Sequence, residues 1–197
     1  MASQHQRLTR SRIFATALQL IAQDGVTRFS MRKLARQLGV EAMALYKHVA
    51  NKTALLDGLV ILLLEEIVVP KEGHWTTRMR GMAHSYRRLA LAYPYLFPFL
   101  VSRPLPAEAR PILEEMWEAL ADAGLAEDRR MVAFRTVSSY VAGFALSEIV
   151  WHTPARAGET EPPPWSSGDQ QNDRLFQQGL DAILAGLLAP QNGSTCG

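Results

Sequence analysis

Ser30-Met-Arg-Lys-Leu-Ala-Arg-Gln-Leu-Gly-Val40, followed at once by Glu41-Ala-Met-Ala-Leu-Tyr-Lys-His-Val49, decides the fold of this 197-residue chain. Met31, Leu34, Ala35 and Leu38 fall on one face of a helix. Ser30 stands where an N-cap accepts a free backbone N–H, and Gly39 where a turn needs a residue free of the Cβ clash. The next helical segment, 41–49, begins within two residues of that glycine. The pattern is helix, tight turn, helix, and such a pair projects its second helix outward. A protein that reads DNA needs that projection to enter a major groove about 12 Å wide.

The polar side chains suit this use. Arg32 and Lys33 open the first helix of the pair, Tyr46, Lys47 and His48 close the second, and Lys52 follows. The helix N-termini at Ser30 and Asn51 offer backbone N–H groups to phosphate. Charge concentrates in the same region. Residues 1–52 hold nine Lys/Arg against two Asp/Glu, a net of +7, while residues 53–197 hold twelve against seventeen, a net of −5. The formal total of +2 therefore hides a basic head on an acidic body.

Outward from the pair, the chain reads as helices. Ile13, Ala17, Leu18, Leu20 and Ile21 form an apolar stripe capped by Thr9 or Ser11 and stopped at Asp24-Gly25. Asn51 caps a helix carrying Leu55, Leu56, Leu59, Leu62 and Leu63. Further helices are expected over 75–91, around Ile112 to Leu120 up to Gly124, over 128–151, and over 175–188. The stretch 153–171, rich in Pro, Gly and Ser, reads as a loop. No hairpin dipeptide joins alternating runs, so the expected class is all-α: a three-helix helix-turn-helix domain and a larger helical domain. The division predicted is 1–52, with a linking helix at about 51–68, and 69–197.

Other chemistries find no support. The one cysteine, Cys196, excludes an intrachain disulfide and a thiolate metal cluster. No apolar run reaches the ~18 residues of a membrane span. Residues 1–12 are polar and basic without a signal-peptide core, which points to a reducing cytoplasm. There is no nucleophile elbow, no H-E-x-x-H and no phosphate-cradling glycine loop, so neither an enzyme nor a cofactor is expected. His84 and His152 stand alone, and Glu114-Glu115-Glu118 and Arg129-Arg130 read as solvated helix faces.

Met31 to Val40, Ala44 to Val49, Asn51-Lys52 and Ala54 to Leu59 together resemble the tetracycline-repressor (TetR) family head over about residues 8–59. Ser85-Tyr-Arg-Arg88, Ser102-Arg-Pro104 and Gly124 resemble the tetracycline-repressor body more loosely. The resemblance implies an all-α homodimer bound to a double-stranded DNA operator, a ligand pocket in the body, and repression relieved by a small molecule. It carries the DNA contacts onto Ser30, Arg32, Ala42, Met43, Tyr46, Lys47, His48 and Lys52. Arg32 and Lys47 suit guanine edges, and Tyr46, His48 and Lys52 suit phosphates. Where tetracycline repressors have Gln-Pro-Thr, this chain has Ala42-Met43-Ala44, which suits thymine methyls and a different operator.

On the ligand side, the resemblance places Met82, Phe99 and the vicinity of Val68 where the family has a pocket asparagine and histidines. Those side chains cannot ligate a hard metal, so no metal site is expected and metal-bound tetracycline is excluded as effector. The candidate pocket is Met82, Tyr86, Phe99, Ser102, Met116, Trp117, Val137 and Tyr140, which fits a flat, largely apolar ligand. At helical spacing such residues more often fill a core than line a pocket, so the alternative is a DNA-binding regulator without an effector, architectural or protein-regulated. Ser138, Ser139, Ala142, Gly143 and Ala145, with Leu180, Ile183, Leu184 and Leu187, suggest a four-helix dimer interface and hence a palindromic operator.

Overall fold

The computed structural model describes residues 7–152 and 169–188. Among them are nine α-helices, one 3₁₀ turn at Ala107–Ala109 and no strand, so the protein is all-α as expected. The helices are α1 (Arg10–Arg28), α2 (Met31–Leu38), α3 (Ala42–Tyr46), α4 (Lys52–Glu65), α5 (Trp75–Ala92), α6 (Phe97–Val101), α7 (Arg110–Ala121), α8 (Glu127–His152) and α9 (Asp169–Leu188). They form two compact units, Met1–Glu66 with Ala92–Ile112, and Ile67–Leu91 with Leu113–Gly197. Residues 92–112, which the expected division gave to the ligand-binding part, belong to the first unit.

In the first unit the caps lie where the sequence put them. Thr9 Oγ1 accepts from the Arg12 amide at 3.2 Å, Ser30 Oγ from Lys33 at 3.3 Å, and Asn51 Oδ1 from Ala54 at 2.8 Å. At Gly25, φ 74° and ψ 165° interrupt α1, and one further turn closes at Arg28. Gly39 adopts the left-handed conformation, φ 68° and ψ 34°, with no Cβ to penalise it. Its amide donates to Arg36 O at 3.2 Å and the Val40 amide to Ala35 O at 3.0 Å, satisfying the last carbonyls of α2. Ile13, Leu34, Leu45, Leu55 and Leu59 are fully buried and make the common core of α1 to α4. Helix α3 is shorter than the expected 41–49 segment. After Tyr46 the His48 and Val49 amides both close onto Leu45 O, at 2.9 and 3.0 Å, as a turn.

The second unit is held by α5, α8 and α9. Met79, Met82 and Ala83 of α5, Val137, Val141 and Ala145 of α8, and Phe176, Leu180 and Leu184 of α9 are buried. Among them sits a charged group. Arg87 on α5 donates through Nε and Nη2 to Glu148 Oε2 and Oε1 on α8, at 2.7 and 2.6 Å. Its Nη1 reaches Asp173 Oδ1 on α9 at 2.6 Å, and the guanidinium lies 4.9 Å from the Phe176 ring centroid. Arg87 and Glu148 are each only 6% exposed, so a forked, fully paired geometry is what makes their burial tolerable.

The sequence expectation differs here at the start of α9 and at Arg129 and Arg130. Residues 153–168 of the expected loop lie outside the described residues, whereas Asp169, Gln170 and Gln171 are helical and open α9. Buried Asn172 and Phe176 extend the Leu180/Leu184 stripe backward by two turns, which is why the helix begins early. Arg129 and Arg130 are not simply solvated: Arg129 Nη2 donates to Leu187 O at 2.9 Å and Arg130 Nε to Leu125 O at 2.8 Å. His84 is packed, its Nε2 2.6 Å from Gln177 Oε1 and its ring edge-on to Phe176; the side chain of His152 lies outside the description.

Candidate nucleic-acid interface and effector-site residues

A three-residue turn, Gly39-Val40-Glu41, joins α2 to α3, and their shared interior residues Leu34, Leu38 and Leu45 hold the pair rigid. With Leu45 directed inward, the neighbouring positions of α3 must face out. Met43 is 71% exposed and Tyr46 44%, unusual values for side chains that gain from burial. Lys47 and His48 are exposed beyond them, Arg32 is exposed on α2, and Ala42 is half-buried. The side chains of Arg32, Tyr46, Lys47 and His48 have no hydrogen-bond or ion-pair partner among the described residues. They therefore form a set of donors and apolar contacts available to a ligand outside the unit.

Two predicted contacts are partly engaged within the chain. Ser30 Oγ caps α2 with one lone pair, so its hydroxyl proton and second lone pair remain for another partner. Lys52 at the start of α4 donates from Nζ to Phe29 O at 2.7 Å and Val26 O at 3.2 Å, and lies 5.6 Å from the Phe29 ring centroid. It ties the last turn of α1 to α4 and steadies the chain entering α2. One ammonium donor remains of three. A second brace, Lys33 Nζ to Asp24 Oδ2 at 2.9 Å, joins α2 to α1. Neither brace was legible in the sequence, because both cross between elements.

The candidate effector residues separate by unit. Phe99 and Ser102 belong to the first. Arg103 covers the Phe99 ring at 4.6 Å while pairing with Asp57 at 3.0 Å, and exposed Ser102 Oγ donates to Phe99 O at 3.2 Å. The other six lie in the second unit. Met82, Met116 and Val137 are buried, and Tyr86, Trp117 and Tyr140 are half-buried. Burial raises the Tyr86 hydroxyl pKa to about 12 and pushes that of Tyr140 upward. Tyr140 stacks on Phe176 at 5.6 Å and donates to Phe176 O at 2.9 Å. Sequence reasoning missed Arg87 and Glu148. The available signal was a charge at a core-periodic position, four residues after buried Ala83 on α5 and three after buried Ala145 on α8.

Comparison with known proteins agrees with this construction. Residues 13–59 match the tetR family of bacterial regulatory proteins, and residues 69–166 match the tetracyclin repressor-like C-terminal domain. The chain is 32% identical to the class A tetracycline repressor from transposon 1721 of Escherichia coli, covering 92% of this chain and 91% of the relative. It is 31% identical to an HTH-type transcriptional regulator of Saccharopolyspora erythraea, covering 92% and 85%. The crystal structure of the TetR-family protein ActR of Streptomyces coelicolor with actinorhodin superposes with a TM-score of 0.79, at 30% identity over 95% of this chain and all of that one. With both matched regions in place and the helix-turn-helix exposed as a reader, the chain belongs to the tetR family of DNA-binding transcriptional regulators, which are not enzymes.

Proposed function

We propose that the protein is a homodimeric repressor that binds a palindromic operator through α2 and α3 and leaves it when a small, largely apolar, aromatic effector binds in the second unit. The observation that carries the DNA half is the outward, unpartnered set Arg32, Met43, Tyr46, Lys47 and His48 on a pair fixed by Leu34 and Leu45. Arg32 and Lys47 pair with guanine edges, Ala42 and Met43 contact thymine methyls, Tyr46, His48 and the free donor of Lys52 meet phosphates, and Ser30 presents its hydroxyl. The work of such a protein is done where the DNA is, in the cytoplasm.

Dimerisation is supported by the outer sides of α8 and α9. Leu180, Leu184 and Ala145, which sequence spacing offered to a partner, are buried within the chain. Of the other expected positions, Ser139 and Gly143 face outward and Ile183 and Leu187 are half-buried, and Met131, Val132 and Val150 on α8 and Leu175 on α9 are exposed as well. Small residues at 139 and 143 allow close helix approach, and the exposed Met, Val and Leu supply apolar area. A two-fold axis through this face produces two equivalent readers and a palindromic site.

The effector half is supported by the aromatic character around Tyr86, Trp117 and Tyr140 and by the complex of ActR with actinorhodin, a ligand-bound protein of the same fold. The effector must prefer the conformation that does not fit the operator, because only differential affinity moves the equilibrium. A gel shift with the gene's upstream region tests the reading: a retarded band lost on adding competitor of the same sequence, but not of scrambled sequence, supports it. A second reading, a regulator without effector, draws on the complete burial of Met82 and Val137, which leaves little space beside them. Thermal shifts with a panel of polycyclic aromatic compounds separate the two, since a solid interior gives none.

A further inference from the structure

A cavity in the first unit is lined by residues that belong to neither site described above. It lies between α1, α4 and the 3₁₀ turn and has a volume of about 620 Å³. Drug-sized ligands occupy cavities of about 300–1,000 Å³, so the space is sufficient for one. Phe14, Leu18, Ile61 and Leu62 supply an apolar lining, and Leu62 is 38% exposed at it. Gly58 also lines it, and a Cβ there would stand 2.6 Å from Phe14 Cζ, so the Phe14 ring approaches α4 where a larger residue would push it aside.

The polar edge has a definite sign. Arg10, Glu65 and Glu108 line the cavity. The Arg10 guanidinium already lies over the Phe14 ring, 5.0 Å from its centroid. Neither Glu65 nor Glu108 has an ion pair or hydrogen bond among the described residues. The three charges leave one negative charge uncompensated beside an apolar surface, within a head whose sequence is otherwise strongly basic. That combination disfavours an anion and suits an aromatic body carrying one positive charge.

We propose that this cavity is a second ligand site, for a hydrophobic monocation whose apolar groups lie on Phe14, Leu18 and Leu62 and whose charge faces Glu65 and Glu108. It is separate from the effector site proposed above, and a ligand held there contacts α1 and α4 at once. The test is calorimetric titration of the full chain with tetraphenylphosphonium chloride and with triphenylphosphine oxide, which offers similar aryl faces without a net charge. The cation is expected to bind about tenfold more tightly, the equivalent of two partly exposed ion pairs. Glu65→Gln with Glu108→Gln should remove that preference, and Ala15→Trp should fill the space and abolish binding of both. Ala15, Glu65 and Glu108 are exposed, so circular dichroism of these variants should be unchanged. Equal affinity for the two compounds, no heat with either, or tetraphenylphosphonium affinity unaltered in either variant would overturn the proposal.

Discussion

At the scale of single residues, Arg87 concentrates the stability of the second unit. Its two bonds to Glu148 are deeply buried, whereas the Asp173 side chain is 68% exposed and its pairing is worth little. Removing the guanidinium takes from buried Glu148 the two charge-assisted bonds that compensate its burial. Arg87→Ala should therefore cost about 3–5 kcal/mol in urea unfolding, and Arg87→Met with Glu148→Leu should recover most of it. Tyr86 reports on the same unit by its proton. Its folded pKa of about 12 lies above the ordinary 10, so the folded state keeps a proton the unfolded state has lost. Its contribution to stability is whole below pH 10 and falls as the pH rises through 12. A phenolate absorbance titration should show a step near 12 that Tyr86→Phe removes. Lys52 has two duties. Lys52→Ala should cost about 1–2 kcal/mol through the lost bonds to Val26 O and Phe29 O. It should also weaken operator and non-operator DNA alike and flatten the salt slope by about one.

At the scale of elements, the local signals translated directly. Ser30, Gly39 and Asn51 each act through a backbone group within four residues, and each occupies the cap position that the sequence assigned. Gly39→Ala should cost about 1–2 kcal/mol, since a Cβ at φ 68° clashes with its own carbonyl while no other atom lies within 4 Å. The operator affinity of that variant should fall with its stability. Ends that depend on tertiary partners were not legible. The early start of α9 follows from burial of Asn172 and Phe176, and α3 stops at Tyr46 because the turn onto Leu45 O replaces its last turn. The exposure of Arg32, Met43, Tyr46, Lys47 and His48 follows from helical spacing around buried Leu34 and Leu45. The braces Lys33–Asp24 and Lys52–Phe29 were not legible, because nothing in a linear pattern says which cation folds back onto its own chain.

At the scale of the whole molecule, the small net charge is the sum of two opposed regions. The basic excess falls on the reader and its surroundings, and the acidic excess on a part that has no reason to touch phosphate. The sequence also divides its information unevenly. The proposed DNA contacts are mostly exposed polar side chains that stand out from a helical pattern, whereas the candidate effector residues share their periodicity with ordinary core, and Met82, Met116 and Val137 lie buried. The proposed two-fold face on α8 and α9 ties these parts to one outcome. Selection of bound duplexes from a randomised pool, with the full chain at about 0.15 M salt, tests the proposed reader most directly. The predicted result is enrichment of one palindrome whose half-sites lie about one helical turn, or a multiple of it, apart, with enrichment abolished by Arg32→Ala together with Lys47→Ala. Recovery of an unenriched pool, or of the same sequences by the double variant, would contradict it.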